Sequence, residues 1–271
     1  MDQYIWLIPL GFVIGAGGTL IGAGGGFILM PVLLLLYPSE SAEFITSISL
    51  AVVFFNTLSG SGAYALMKRI DYKSALLFSA ATIPGAILGA LTTVFIPRRL
   101  FNGIFGIFLM ATSIFLFLRP SSGYGKKKSL PKHWLTRHLV EADGTSHTFS
   151  FNPVLGVGLS LFAGFVSSLL GIGGGIIHVP VLIHLLNFPV HIATATSHFV
   201  LVVMAFVGTC VHILMGAFSH GIRRTACLAV GVLIGAQLGA YLSNRVHGDW
   251  IVRGLAIALG FVGVRIFIMA L

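Results

Sequence analysis

A glycine-rich motif occurs twice in the sequence, and each copy interrupts a long apolar run. Residues 22–33 read GAGGGFILMPVL and residues 171–182 read GIGGGIIHVPVL, so eight of twelve positions are identical at a spacing of 149. Four glycines in five residues are unfavourable in a helix, since each costs about 1 kcal/mol relative to alanine. In lipid, such a break must be buried in protein or line a polar cavity. Matching breaks in two halves indicate the binding site of a transporter.

The composition places the chain in a membrane. It is 56% hydrophobic and 8% charged, with a mean hydropathy of +1.00. Several apolar stretches of about 20 residues predict an all-α polytopic protein whose surroundings are the lipid bilayer. The net charge of +9 does not indicate a nucleic-acid partner, because the basic residues lie in short loops between apolar runs. The start of the chain lacks a basic segment, so we expect no cleaved signal peptide.

A second repeated string supports two homologous halves. The pattern Gly-Ala-x-x-Gly-Ala occurs at residues 85–90 and again at 235–240, in register with the glycine motif. Two matches in register indicate an internal duplication. The sequence therefore predicts three segments, which are a first transmembrane repeat at 1–118, a polar basic linker at 119–150 and a second transmembrane repeat at 151–271. Within the linker, residues 132–140 could form a short amphipathic helix.

Each repeat is predicted to begin with a broken helix. The first apolar run, residues 5–37, would be about 50 Å long as one helix, whereas the hydrocarbon core is about 30 Å thick. Two shorter helices joined by an unwound turn fit better, followed by three transmembrane helices. The predicted segments are 5–20, 27–37, 44–67, 74–95 and 100–118 in the first half, and a broken run at 152–186 with spans at 191–216, 222–244 and 250–270 in the second.

The positive charges orient the linker but leave two topologies open. If each broken run crosses the membrane once, the halves are parallel repeats; if each is a re-entrant hairpin, they are inverted. In both cases the side holding the linker carries eleven Lys and Arg residues and the other side four. The positive-inside rule therefore predicts a cytoplasmic linker. We favour inverted repeats, because 33 residues suit two half-helices.

The glycine turns are candidates for anion binding through backbone amides. Glycine can adopt positive φ and places no side chain in the way, and the first amides of the following helix attract anions. The alternative is that the glycines only permit tight helix packing. The candidate residues are Gly24, Gly25 and Gly26 in the first turn, with Gly173, Gly174 and Gly175 in the second.

Polar side chains near the turns extend this candidate site. Thr46 and Ser47, and Thr196 and Ser197, open the helix after each broken run and could cap it or donate to an anion. Asn56, a lone amide in a span, is interpreted as an interhelical hydrogen-bond donor.

Histidines within the predicted spans occur only in the second half. His178 replaces Leu29 of the first motif, and both it and His198 could bind an anion or carry a proton. A satisfied buried histidine is the plain alternative. His191 and His198 share a helix face, which keeps a metal-ion permease as the alternative function, although no carboxylate joins them and we predict no bound metal or cofactor.

These motifs resemble the TauE/SafE family of membrane permeases, also called sulfite exporters. The resemblance rests on both glycine motifs, the Thr-Ser pairs and the Gly-Ala strings, and covers about Ile5 to Ile268. It implies a secondary carrier of sulfite or organosulfonates such as sulfoacetate in the plasma or inner membrane of a bacterium. The chain has no nucleotide-binding or nucleophile motif, so we expect no enzyme activity. A coupling ion, proton or sodium, and a homo-oligomer are left open, as is a channel or scaffold role.

Overall fold

The computed structural model describes residues 4–118, 134–218, 221–243 and 248–270. The described chain is mostly helical. The first half contains α1 (Leu7–Ile21), α2 (Gly26–Leu36), α3 (Ala42–Leu66), α4 (Tyr72–Thr93) and α5 (Arg98–Leu118). The second half contains α6 (Pro153–Leu170), α7 (Gly175–His184), α8 (Val190–Leu214), α9 (Ile222–Leu242) and α10 (Gly248–Ile268).

Five of these helices are long and apolar enough to cross a membrane, namely α3, α4, α6, α8 and α9. Of the broken runs, α1, α2 and α7 are shorter apolar helices, whereas α6 reaches 18 residues. The glycine turns therefore interrupt the helices where the sequence predicted. The fold is that of a polytopic helical membrane protein.

The linker contains a β-hairpin, so the short helix expected at 132–140 is wrong. Strand β1 (Leu135–Val140) pairs antiparallel with β2 (Ser146–Phe151), with Leu135 opposite Phe151. An Asp-Gly turn connects them, in which Gly144 has a φ of +89° and Asp143 accepts a hydrogen bond from the Thr145 amide. That bond lowers the pKa of Asp143. Such a turn matches the twist of a hairpin. Residues 119–133 of the predicted linker lie outside the described residues.

The hairpin is docked on the helices. The Glu141 carboxylate contacts Arg69 at 2.6 Å and His147 at 2.8 Å. The rings of Phe149 and Phe151 lie 4.4 and 5.1 Å from that of Phe188. Because Arg69 follows α3 and Phe188 precedes α8, the hairpin covers the end of the bundle where α3 ends and α8 begins.

The repeated small-residue strings pack helices of one half against helices of the other. On α4, a Cβ at Gly85 would overlap the carbonyl oxygen of Leu161 on α6. On α9, a Cβ at Gly235 would overlap the carbonyl oxygen of Phe12 on α1. Both pairs therefore approach backbone to backbone, as small residues allow. In both the α1–α9 pair and the α4–α6 pair, a glycine of the repeated string lies against a backbone carbonyl of the facing helix.

Corresponding helices of the two halves run antiparallel where they meet. Gly60 on α3 lies against His198 near the start of α8, and Gly208 near the end of α8 lies against Leu50 on α3. The same holds for α5 and α10, since the Ser113 hydroxyl donates to the Ala256 carbonyl. Arg99, near the start of α5, donates to the Ala270 carbonyl just beyond α10.

The ends of each broken helix come close together. In the second half, a Cβ at Gly156, near the start of α6, would lie 3.3 Å from Leu186, just beyond α7. In the first half, the guanidinium carbon of Arg224 lies 5.6 Å from the ring centroid of Tyr4 and 4.2 Å from that of Tyr37. Tyr4 precedes α1 and Tyr37 follows α2.

Candidate functional site

The two glycine turns lie in direct contact. A Cβ at Gly26 would lie 2.5 Å from the carbonyl oxygen of Ile172, and one at Gly175 would overlap Ala23. Three glycines in each turn have positive φ, a conformation that side chains disfavour. They are Gly22, Gly24 and Gly25 in the first turn, and Gly171, Gly173 and Gly174 in the second. The repeated glycines are thus required both for the backbone conformation of each turn and for the close approach of the two turns.

The N-termini of α2 and α7 meet at this contact. Their N-cap residues, Gly25 and Gly174, provide no side-chain cap. Among the described residues, the amides of Gly25, Gly26 and Phe27 have no hydrogen-bond acceptor, and neither do those of Gly174 and Ile176. Uncapped helix N-termini carry a partial positive charge. The arrangement therefore concentrates positive potential without a buried lysine or arginine.

Beside each turn lies a buried polar side-chain atom that has no hydrogen-bond partner among the described residues. The amide nitrogen of Asn56, on α3, lies 3.4 Å from the Cβ position of Gly25, and the Ser167 hydroxyl, on α6, lies 2.6 Å from that of Gly174. Asn56 is 1% exposed and Ser167 fully buried, and neither atom has a partner in the described part of the chain. A buried donor left unsatisfied costs about 1–3 kcal/mol, so both atoms are available to a ligand.

The four hydroxyls singled out in the sequence divide into two groups. Ser47 donates to the Phe44 carbonyl at 2.7 Å, and Thr196 accepts from the Asp71 amide at 3.2 Å. These two stabilise helix ends. Thr46 lies beside the second turn, with its Cα 3.1 Å from the Cβ position of Gly171. Within the described residues, the hydroxyls of Thr46 and Ser197 have no partner.

The two histidines singled out have different surroundings. His178 lies 3.2 Å from the Ser160 hydroxyl and packs edge-on against Phe78. His198 lies 3.4 Å from the Thr19 hydroxyl. His191 lies in the first turn of α8, near the charged Arg69–Glu141 pair at the docked hairpin. Over the described ranges, no group of three or more His, Cys, Asp or Glu side chains could hold a metal ion.

Two polar residues beside the turns were missed in the sequence. Thr19 immediately follows Gly18 in the first half. Ser167 occupies the position in the second half that corresponds to Gly18. The signal was present, because hydroxyls precede the glycines in both copies of the motif. Asn56 was expected to bond between helices, and its side-chain oxygen does accept from Thr19 at 3.3 Å. Its nitrogen, however, lies at the glycine turn.

Comparisons with known proteins agree with this architecture. A family model described as "Sulfite exporter TauE/SafE" matches residues 7–266. "Probable membrane transporter protein YunE" of Bacillus subtilis is 30% identical over 97% of both chains. "Probable membrane transporter protein MJ0441" of Methanocaldococcus jannaschii is 24% identical over 96% of both. An Arabidopsis thaliana protein, "Sulfite exporter TauE/SafE family protein 3", is 29% identical over 54% of this chain and 32% of its own. No solved structure matches significantly.

Proposed function

We propose that this chain, which belongs to the sulfite exporter TauE/SafE family, is a secondary carrier of sulfite or small organosulfonates. Its relatives are named as membrane transporters rather than as enzymes. Sulfite and sulfonate groups carry negative charge on several oxygens that accept hydrogen bonds. The site must therefore offer several donors and positive potential in a small space.

The meeting of the two glycine turns is the observation that carries this proposal. Two helix N-termini converge there with unpaired amides. Asn56 and Ser167 add one buried, unpaired donor on each side. Backbone amides, an amide side chain and a hydroxyl are neutral donors, so they can hold an anion that must later leave. A fixed cationic side chain would bind the anion more tightly and slow its release.

We further infer inverted repeats with re-entrant broken helices. Two observations support this topology. First, α3 and α8 hold the same position in their halves yet run antiparallel. Second, the hairpin that precedes α6 contacts Phe188, which follows α7, so α6 and α7 begin and end at one membrane face.

An open depression at the other end of the bundle supports access from that side. It has a volume of about 630 Å³ and is lined by Tyr4, Glu40, Ser41, Glu43, Phe44, Ala217 and Arg224. Arg224 is paired with Glu40 at 2.9 Å. The hairpin covers the opposite end. We infer that the depression opens to the outside and that the hairpin lies in the cytoplasm, where the positive-inside rule puts the linker.

Cysteine accessibility tests this topology. In a background with Cys210→Ala and Cys227→Ala, Ala217→Cys should be labelled by an impermeant thiol reagent added to intact cells. Thr145→Cys, at the exposed hairpin turn, should be labelled only after the membrane is opened. If neither cysteine is labelled in intact cells, the inverted repeats are contradicted, because parallel repeats put both sites on the cytoplasmic side. Labelling of Thr145→Cys from outside would contradict the orientation.

Direct binding tests the function. Purified protein should be stabilised against heat by sulfite or sulfoacetate, because a ligand that binds only the folded state raises its stability. Ser167→Ala should weaken binding by roughly 2- to 12-fold, the loss of one hydrogen bond of about 0.5–1.5 kcal/mol. Thr112→Ala is the matched control, because that hydroxyl bonds within its own helix and should leave affinity unchanged.

Calorimetry on the parent and both variants measures these affinities. If Ser167→Ala binds with the same affinity as the parent, the Ser167 hydroxyl does not contact the anion. If sulfate or divalent metals shift the melting temperature while sulfite, sulfoacetate and taurine do not, the proposed substrate class is wrong.

A further inference from the structure

We propose that His198 binds a proton that travels with the anion, so that the carrier is proton-coupled. This inference rests on the proposed function, because it takes the glycine turns as the anion site. It names the coupling ion and the residue that holds it.

A chain of hydrogen bonds connects His198 to the first glycine turn. Thr19 donates its hydroxyl proton to the Asn56 side-chain oxygen at 3.3 Å. Its oxygen can therefore only accept from the Nε2–H of His198, 3.4 Å away. Asn56, held by this bond, presents its nitrogen to Gly25. The histidine and the proposed anion site thus share Thr19 and Asn56.

The same bonds assign the atom that takes the proton. If Nε2 carries hydrogen, Nδ1 of the neutral ring has the lone pair. Within the described residues Nδ1 has no hydrogen-bond partner, and the ring is fully buried. An incoming proton therefore adds to Nδ1 and makes the ring an imidazolium.

The residues packed around His198 supply no negative charge. From α3, Gly60 lies against the ring and Tyr64 meets it edge-on at 5.5 Å. The Tyr64 hydroxyl donates to the Thr19 carbonyl at 2.8 Å. Arg69, which follows α3, is paired with Glu141.

Only seven Asp and Glu residues occur; α1 and α8 contain none, and α3 contains only Glu43 in its first turn. Among the described residues, no carboxylate is hydrogen-bonded or ion-paired to His198. Asp71 lies near the start of α8, where its amide donates to Thr196, but its carboxylate accepts from Ser74 and lies 3.6 Å from Arg137. A buried charge without a counter-charge is costly, so neither an imidazolium nor an anion is favourable here alone. Together they compensate each other, and each therefore raises the affinity for the other by the same factor.

His198 has no equivalent in the first half. The corresponding residue there is Ile48, which follows the Thr46-Ser47 pair as His198 follows the Thr196-Ser197 pair. The other buried histidines are less suited. His178 also lies one helical turn from a glycine turn, since its amide donates to Gly174, but in the described residues its partner Ser160 has no hydrogen bond to a turn or to Asn56. No hydrogen bond joins His212 to any described residue. We therefore place the proton on His198 and expect one proton for each anion.

Proton uptake on binding tests this proposal. Calorimetric titration of purified protein with sulfoacetate, in buffers of different ionisation enthalpy, measures the protons bound with each anion. Between about pH 6 and pH 8 both acid groups of sulfoacetate stay ionised, so any uptake belongs to the protein. We expect uptake of up to about one proton, and affinity that falls by up to tenfold for each unit of rising pH.

His198→Gln keeps a donor near Thr19 but cannot become charged. It should bind sulfoacetate without proton uptake and with affinity independent of pH. His138→Gln, on the exposed hairpin strand, is the matched control and should behave as the parent. If His198→Gln takes up protons as the parent does, the assignment to His198 is wrong.

If His198→Gln does not fold, the parent protein alone still tests whether a proton is bound with the anion. Sulfoacetate binding without proton uptake across this pH range overturns the coupling proposal and leaves the proposed function intact. Binding of neither sulfoacetate nor sulfite overturns the proposed function, and the coupling proposal with it.

Discussion

Gly174→Val should abolish binding of sulfite and sulfoacetate and with it transport. Gly174 has a φ of +73° and is the N-cap of α7, and the Cβ of any other residue would lie 2.6 Å from the Ser167 hydroxyl. A branched side chain at this φ costs of the order of 1–3 kcal/mol in backbone strain. It also displaces Ser167, one of the proposed donors to the anion. Gly25→Val should act in the same way on the first turn, where Cβ would meet Ile14 and Asn56.

Gly216→Val separates backbone strain from obstruction of the site. Gly216 has a similar φ of +76°, yet no atom lies within 4 Å of its Cβ position. This variant should lose stability but retain affinity, whereas Gly174→Val should lose both. Calorimetry gives the affinities and melting curves the stabilities. If Gly174→Val melts like the parent and binds with parental affinity, the turns are packing devices and the anion site lies elsewhere.

Glu141→Ala should destabilise the protein by about 3 kcal/mol and release the hairpin. The side chains of Glu141 and Arg69 are 5% and 10% exposed, and their ion pair measures 2.6 Å. Removing one member of a buried pair leaves the other charge without that compensation, which typically costs about 3–5 kcal/mol. The same carboxylate contacts His147, so two interactions disappear at once.

Melting temperature and the rate of proteolysis within residues 135–151 measure this effect. Thr145→Ala is the control, because its side chain is exposed at the turn and the change should stay within about 0.5 kcal/mol. Equal melting curves and equal cleavage rates for Glu141→Ala and the parent would show that the other contacts of the hairpin, such as those of Phe149 and Phe151 with Phe188, hold it without the ion pair.

The helices and their interruptions could be read from the sequence because the responsible forces are local. The break predicted between 20 and 27 occurs between Ile21 and Gly26, since a glycine cluster disfavours helix in any surroundings. The fourth helix of the second half was predicted at 222–244 and ends at Leu242. Its length follows from the thickness of the membrane, which is the same for every apolar segment.

The hairpin could not be read in this way. Its strands are short and polar, and only Phe149, Ser150 and Phe151 of β2 are buried. What stabilises it comes from distant parts of the chain, namely Arg69 after α3 and Phe188 before α8. A sequence of mixed polar residues is compatible with several conformations, and contacts with the helices select one of them.

The sequence by itself determined that two glycine turns exist, that they are equivalent and that neither motif contains a lysine or an arginine. Only the tertiary structure decided that the turns touch, because their contact depends on the packing of α1 against α9 and α4 against α6. It also decided which polar groups surround them. Asn56 and His198 follow Gly25 of the first turn by 31 and 173 residues in the chain. Their positions are set by the antiparallel packing of α3 and α8, a long-range contact that no local pattern encodes.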